Sequence, residues 1–192
     1  IDTGMGLERL ACVMQGVDSM FEVDTIKNII SAISEKAGIK YHDDPKADIS
    51  LRIIADHSRA SAFLIADGVM PSNEGRGYVL RRLLRRACRH GKLLGIKGAF
   101  LSDIIKVVAH ENLSAYPELT EKFDYISKIA SMEEDRFDAN VEAGMNLLDA
   151  LTEKANASGA KMLDGADVFK LSDTYGFPID LTREIAAERG LG

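Results

Sequence analysis

The chain has 192 residues, of which 46% are hydrophobic, and a formal net charge of −6 at pH 7. This length fits one large domain or a domain with a small appendage, and the apolar content is sufficient for a packed core. The acidic balance excludes a surface that is basic everywhere. No apolar run has the length of a membrane span and no signal peptide leads the chain, so we expect a cytoplasmic protein without a membrane partner.

Helical patterns dominate the first half of the chain. Residues 1–5 are typical of a strand end and a turn, and a helix is predicted over residues 6–15. The apolar face of this helix consists of Leu7, Leu10, Ala11 and Met14. Further helices are predicted over residues 24–36, 48–67, 78–90 and 101–112. The breaker residues of the 69–77 loop are Pro71, Ser72, Asn73, Gly75 and Gly77.

The second half is also predicted to be helical. Pro117 opens a long helical stretch that reaches about residue 156, with Gly144 as the position of a bend. A loop over residues 157–166 precedes two short helices, predicted over residues 167–171 and 180–188. The sequence contains no internal repeat and no low-complexity tract.

The run Asp2-Thr3-Gly4-Met5-Gly6-Leu7-Glu8-Arg9 is the most specific motif of the chain. Glycines at this spacing let the backbone approach a flat ligand without an intervening Cβ. An arginine shortly afterwards can reach a phosphate or lie over an aromatic base. Two glycines before a helix also form ordinary turns, and Glu8 is expected to be a surface carboxylate paired with Arg9 or its neighbours.

Charge is distributed unevenly along the chain. Residues 76–97 contain eight Lys or Arg and no Asp or Glu, which leaves 16 basic and 30 acidic residues elsewhere. In the predicted helix over residues 78–90, the positions Leu80, Leu83, Leu84, Ala87 and Gly91 are expected to face the core. Its other side is expected to carry Arg81, Arg82, Arg85, Arg86 and Arg89.

This basic helix has two interpretations. Because no carboxylate within the helix neutralises the arginines at i+4, a polyphosphate backbone is a natural partner. Alternatively, the arginines pair with acidic side chains elsewhere in a helical scaffold. A non-catalytic helical module that binds any nucleic acid is a further hypothesis.

Several runs together resemble the alanyl-tRNA synthetase family, which belongs to the class II aminoacyl-tRNA synthetases. The Asp2–Arg9 run resembles the third signature motif of that class. Residues 52–59, 62–74 and 76–82 resemble the segment that follows the family's catalytic core, and residues 173–178 resemble its D-T-Y-G-F-P segment. The matches keep their order over most of the chain, and the start at Ile1 fits an excised piece.

The resemblance implies a fold and a first site. Residues 1–20 would end an α/β catalytic domain, and residues 21–192 would form a helical tRNA-recognition domain, so the fold is mainly α. Arg9 would contact ATP, which the full enzyme uses with Mg²⁺, and Gly4 and Gly6 would let the nucleotide and alanine approach. Asp2 would hold the ammonium of alanine, for which a carboxylate is the natural partner. The piece alone is expected to be inactive.

The resemblance also implies a site for the acceptor stem of tRNA(Ala). The family recognises a G·U wobble pair there through an Asn and an Asp, which match Asn73 and Asp173. An amide and a carboxylate can both read a base edge in the wide minor groove of RNA. In the alternative, Asn73 is a plain turn residue and Asp173 a helix cap. The residues expected to support binding through phosphate contacts are Arg76, Arg81, Arg82, Arg85, Arg86 and Arg89.

The remaining reactive side chains indicate no further site. Cys12 and Cys88 lack C-x-x-C spacing and are expected to be buried, reduced thiols. The four histidines show no spacing typical of a zinc site, so no metal is expected within this chain.

Overall fold

The computed structural model describes residues 2–175, 177 and 179–192, without the side chains of residues 140–143 and 180. The chain divides into two compact units, Ile1–Glu134 and Asp135–Gly192. Within the described part, the structure is mainly helical and no residue lies in a β-strand. The predicted strand end is therefore not seen at residues 2–5, and Ile1 lies outside the described residues.

The first unit begins with a series of helices joined by short connections. They are α1 (Leu7–Gln15), α2 (Asp24–Ala37), α3 (Pro45–Ala66), α4 (Gly75–Leu93), α5 (Leu101–Glu111) and α6 (Glu118–Glu121), with a short 3₁₀ turn at Met20–Glu22. The helix α7 (Phe123–Ala157) follows, and the division between the units falls inside it. The predicted helix from Pro117 is thus two helices, α6 and α7.

Capping explains where α3 starts. The carboxylate of Asp44 accepts hydrogen bonds from the backbone N–H groups of Lys46 at 3.0 Å and Ala47 at 3.3 Å. Pro45 occupies the first helical position, where its missing N–H costs nothing. The helix therefore begins three residues before the predicted start.

The core of the first unit is aliphatic and centres on α3. Helices α2, α4 and α5 all pack against α3. The side chains buried in this core include Ile29, Ile33, Leu51, Ile54, Ile65, Leu80, Leu84 and Ile104. Burial of such side chains is the main favourable contribution to folding.

Helix α1 differs from this core, because none of its residues is buried. On the predicted apolar face, Leu7 and Met14 each expose more than two thirds of their surface and Leu10 is 45% exposed, so this face is not covered by the described residues. Glu8 binds the guanidinium of Arg59 on α3 at 2.6 Å. The expected pairing of Glu8 with Arg9 or its neighbours is replaced by a contact across the fold.

The second unit contains the end of α7 with α8 (Gly165–Tyr175) and α9 (Ile179–Glu188). Phe177 is buried and its ring lies beside Gly144, where an added Cβ would approach to 2.7 Å. The assigned helix α7 continues through Gly144, so this glycine makes room for Phe177 within an unbroken helix. Gly176 and Pro178 of the quoted motif lie outside the described residues.

Two further findings concern expectations from composition. Cys88 is buried as predicted, whereas Cys12 is only partly buried, and both are free thiols. Over the described residues, no helix combines the length and the apolar character required to cross a membrane.

Candidate nucleic-acid interface

The loop that carries Asn73 lies against the first turn of α4. A Cβ at Gly77 would lie 2.2 Å from Ser72 Oγ and 2.3 Å from the backbone oxygen of Met70. Only glycine allows this approach. Ser72 Oγ also donates to the backbone oxygen of Glu74 at 2.8 Å. Through these contacts of Ser72 and Gly77, the loop over residues 69–77 packs closely against itself and against the start of α4.

Contacts from α6–α7 hold the other end of this loop. Lys122 Nζ donates to the backbone oxygen of Ala66 at 2.8 Å, and the Tyr125 hydroxyl donates to the sulfur of Met70 at 3.1 Å. These contacts fix the backbone on the side of the loop that precedes Asn73. The Asn73 side chain itself is exposed at the surface.

Asn73 contacts the basic helix directly. Its amide oxygen accepts a hydrogen bond from Nη1 of Arg81. Nε of the same arginine donates to Oε1 of Glu133 at 3.1 Å, and Nε of Arg85 donates to the same oxygen at 2.7 Å. The Glu133 carboxylate of α7 thus binds both Arg81 and Arg85 of α4. Arg81 in turn binds Asn73.

The five arginines of α4 between residues 81 and 89 do not share one exposed face. Arg81, Arg85 and Arg89 follow each other at i, i+4 and i+8 on one ridge, which turns towards the core. Arg85 is 4% exposed and Arg89 is 6% exposed. The expectation that both lie on the face opposite the core is wrong, because the α4 ridge that carries them is covered by its neighbours.

The buried ion pair explains how Arg85 is tolerated inside the protein. Glu133 is 2% exposed, so both charges are removed from water and must compensate each other. Burial lowers the pKa of Arg85 from its ordinary value, and the charge and hydrogen bond of Glu133 oppose that effect. Arg85 therefore serves the fold as an internal partner of Glu133.

The second ridge of α4 offers the accessible positive charge. Arg82 is exposed and Arg86 is partly buried, and Arg76 is exposed in the first turn of the helix. Helix α4 contains no acidic residue. The positive charge of α4 that phosphates could reach is thus carried by Arg76 and Arg82, by the accessible part of Arg86, and by the exposed quarter of Arg81.

The burial of two glutamates of α7, Glu133 and Glu134, was not predicted from the sequence. Ile126, Ile129, Ala130 and Glu133 follow the i, i+3, i+4, i+7 pattern, which places Glu133 on an apolar face. The neighbouring Glu134 is equally buried and accepts from the backbone N–H groups of Phe100 and Leu101 at the start of α5. A glutamate on the apolar face of a helix is expected to be buried and to need a partner for its charge, and this signal could have identified Glu133.

Asp173 lies in the second unit, near the end of α8, and its side chain is exposed. The cap of α8 is Asp164, whose Oδ1 accepts from the N–H groups of Ala166 at 2.9 Å and Asp167 at 3.3 Å. Asp173 itself lies inside α8 and does not occupy the N-cap position that the alternative interpretation as a helix cap requires. A carboxylate in the last turn of a helix faces the negative end of the helix dipole, which is unfavourable for stability.

The residues of the N-terminal motif are accessible. Asp2, Gly4, Gly6 and Arg9 are all exposed. A Cβ at Gly4 would meet no atom within 4 Å, and one at Gly6 would meet only the Arg9 side chain, at 3.8 Å. Neither glycine has a positive φ, so the described residues do not themselves require glycine at either position. These positions leave room for a ligand.

The histidines hold positions inside the fold. Nδ1 of His57 lies 3.0 Å from Oδ2 of Asp56, and this hydrogen bond lowers the pKa of Asp56, while burial opposes the shift. Nδ1 of His90 lies 3.0 Å from Oγ of Ser50. Among the described residues, no group of three or more His, Cys, Asp or Glu side chains is arranged to hold a metal ion.

Comparison with known proteins identifies the family. The model of the family described as tRNA synthetases class II (A) matches residues 1–192. The chain therefore belongs to this class II synthetase family, in agreement with the resemblance found in its motifs.

Individual relatives agree on one enzyme. The chain is 57% identical over 191 residues to the "Alanine–tRNA ligase" of Clostridioides difficile (strain 630), and 54% identical over 192 residues to that of Acetivibrio thermocellus. It is 53% identical over 190 residues to "Alanine–tRNA ligase 1" of Lachnoclostridium phytofermentans. These matches cover 99–100% of the chain but only 22% of each relative.

Proposed function

We propose that the chain is the part of an alanine–tRNA ligase that joins the end of the adenylation site to the surface for the tRNA acceptor stem. The whole protein would activate alanine with ATP and transfer it to the 3′ end of tRNA(Ala) in the cytoplasm. Residues 1–20 would belong to the catalytic domain and residues 21–192 to the tRNA-recognition domain. The relatives' names and the family support this proposal.

For the adenylation site, the proposal assigns Asp2 to the ammonium of alanine and Arg9 to ATP. Exposed glycines with free space beside their Cα atoms suit a ligand that approaches the backbone. ATP bound with Mg²⁺ supplies the activated phosphate. One arginine and two glycines do not align two substrates, so the chain alone should give no alanine-dependent pyrophosphate exchange.

For the tRNA surface, one observation carries the proposal. An exposed Asn73 lies at the start of a helix that carries exposed Arg76 and Arg82. Phosphate contacts from such arginines give affinity and orientation, whereas an amide at a groove edge gives discrimination between base pairs. Asp173 is proposed as a second group that reads the G·U pair, with Arg86 and Arg81 as further contributors to the basic surface.

Competition binding tests this function against the broader alternative of a general nucleic-acid module. The chain is titrated with a labelled tRNA(Ala) acceptor-stem duplex, and unlabelled duplexes compete for it. A matched acceptor stem should compete at least tenfold better than an unrelated RNA duplex of equal length, since specific contacts add to the phosphate contribution. Equal competition would support the general module instead.

The ion pairs of Arg81 and Arg85 with Glu133 favour a structural role for part of the basic helix. This observation supports the scaffold interpretation for the buried Arg85, whereas Arg82 of the second ridge has an exposed side chain that RNA can reach. The two roles can coexist on one helix because its two ridges face different surroundings.

A further inference from the structure

Arg81 links an exposed amide to a buried carboxylate. Its Nε donates to Oε1 of Glu133 at 3.1 Å, while its Nη1 donates to the amide oxygen of Asn73. Glu133 is itself fixed, because it is buried on α7 and also accepts from Arg85 at 2.7 Å. The Arg81 guanidinium is therefore held at one end by the core and contacts the surface loop at the other.

This arrangement sets the orientation of the Asn73 amide. A guanidinium carries donors and no acceptor, so only the oxygen of an amide can face it. The Nδ2 group of Asn73, with two N–H donors, is consequently the end turned away from Arg81. Because the guanidinium group of Arg81 is planar and carries several N–H donors in a fixed arrangement, it can bind Glu133 and Asn73 simultaneously in a fixed geometry.

We propose that Arg81, anchored by Glu133, is a positioning residue that turns the Asn73 amide so that its N–H donors meet the base pair. The proposal rests on the function proposed above, in which Asn73 faces a base edge. It commits Asn73 to an acceptor atom on a base edge, such as a pyrimidine O2 or a purine N3. It also separates Arg81 from Arg82, whose role is to contact phosphate.

A lysine at position 81 distinguishes positioning from charge. Lysine keeps the positive charge for phosphate, but its single ammonium group cannot form the forked contact with both Glu133 and Asn73. If Arg81 positions Asn73, Arg81→Lys loses base-pair preference as Arg81→Ala does. The matched control is Arg183→Lys, the same change at an exposed arginine of α9 that has no part in the proposed RNA surface, and it should retain both the affinity and the preference.

An aspartate at position 73 tests the donor claim. Asn73→Asp keeps an oxygen for Arg81 and nearly the same shape, but it removes both N–H donors. Its general repulsion from RNA cancels in the ratio of two dissociation constants measured with two RNAs of equal charge. The preference should therefore be lost in Asn73→Asp as fully as in Asn73→Ala.

The experiment measures the dissociation constants of the 192-residue chain for two acceptor-stem RNAs that differ only in G·U or G·C. Melting curves verify that each variant is folded. Asn73→Ala, Asn73→Asp and Arg81→Lys are each expected to reduce the preference for G·U about tenfold. In the Asn73→Ala background, Arg81→Lys should have no additional effect, since there is no amide left to orient.

Each alternative outcome has a separate meaning. If Asn73→Ala loses the preference and folded Arg81→Lys keeps it, the positioning role is overturned while the proposed function stands. If Asn73→Asp keeps the preference, Asn73 does not act as a donor. If Asn73→Ala itself keeps the preference, the proposed recognition by Asn73 fails, and the role of Arg81 fails with it.

Discussion

Gly77, in the first turn of α4, and Ser72, in the loop before it, approach so closely that a Cβ at position 77 would lie 2.2 Å from Ser72 Oγ. The same Cβ would lie 2.3 Å from the backbone oxygen of Met70, a contact that no side-chain rotation relieves. The position of the loop that carries Asn73 therefore depends on the absence of a side chain at residue 77.

Gly77→Ala should displace this loop. We expect the free energy of unfolding to fall by about 1–3 kcal/mol, as is usual when a packed site is overfilled. The preference for a G·U stem over a G·C stem should fall as well, because Asn73 moves with the loop. Thermal melts and RNA titrations measure the two effects.

Gly165→Ala is the matched control. Gly165 opens α8, has no positive φ, and an added Cβ there meets no atom within 4 Å. This variant should keep its stability or gain slightly, since alanine is the better helix former. If Gly77→Ala behaves like Gly165→Ala in both measurements, the close packing of the loop is unimportant.

Arg85→Ala should destabilise the fold without selectively affecting RNA. Arg85 and Arg81 both bind the buried Glu133, so removing Arg85 breaks one of these two ion pairs, and breaking a buried ion pair usually costs about 3–5 kcal/mol. Chemical denaturation measures this loss. The exposed Arg82 is the control, since Arg82→Ala should change stability by less than about 0.5 kcal/mol.

In RNA binding the two variants should rank the other way, with the larger effect from Arg82→Ala and the smaller from Arg85→Ala. Arg82→Ala should weaken binding to G·U and G·C stems alike and reduce the salt slope by about one. Arg85→Ala, studied where it is still folded, should leave the slope unchanged. A stable Arg85→Ala protein with a reduced salt slope would place Arg85 at the RNA surface and contradict its structural role.

Asp173→Ala should separate recognition from stability in the second unit. Because Asp173 lies in the last turn of α8, its carboxylate opposes the helix dipole, and its removal should leave the melting temperature unchanged or slightly higher. The preference for G·U should nevertheless fall. A clear loss of melting temperature would mean that Asp173 stabilises the fold.

The Asp56–His57 pair predicts a pH effect. Its hydrogen bond lowers the pKa of Asp56 on folding, so the pair stabilises the protein above the unfolded pKa of about 3.9. That contribution is lost as the pH falls through the lower pKa of the folded state. Asp56→Asn should therefore melt slightly below the wild type at neutral pH, because a pair whose carboxylate is more than half exposed contributes about 0.2–1 kcal/mol.

The difference between Asp56→Asn and the wild type should begin to shrink below pH of about 4, where the unfolded carboxylate takes up a proton, and disappear below the lowered pKa of the folded state. Melting temperatures measured between pH 3 and 7 record this convergence. A difference that stays constant over the whole range would show that the charge of Asp56 contributes nothing.

The helices could be predicted from the sequence because apolar periodicity and capping residues are local signals. Gly38 ends α2 in a left-handed conformation, as its position after the apolar stripe predicts. The cap by Asp44 with Pro45 was not recognised, so the start of α3 was predicted three residues too late. The end of α8 was predicted too early, because Ser172, Asp173 and Thr174 are weak helix formers and local propensity does not favour a helix there. The helix continues to Tyr175.

Which arginines of α4 are buried and which are exposed could not be derived from the sequence of α4 alone. Arg85 and Arg82 are equivalent in sequence, yet one is buried against Glu133 and the other is exposed. The difference comes from a carboxylate 48 residues away, which only the tertiary packing brings to the helix. The assignments of Asn73 and Asp173 to the G·U pair remain predictions, since they depend on RNA contacts.

The ratio of the dissociation constants of the unmodified chain for G·U and G·C acceptor stems tests the central claim most directly. Both duplexes carry the same phosphates, so the electrostatic contribution cancels and only base-pair recognition remains. We expect the G·U stem to bind at least about tenfold more tightly, as one lost base contact costs about 1–3 kcal/mol. Equal affinities at the same salt concentration would contradict the claim that this chain reads the G·U pair.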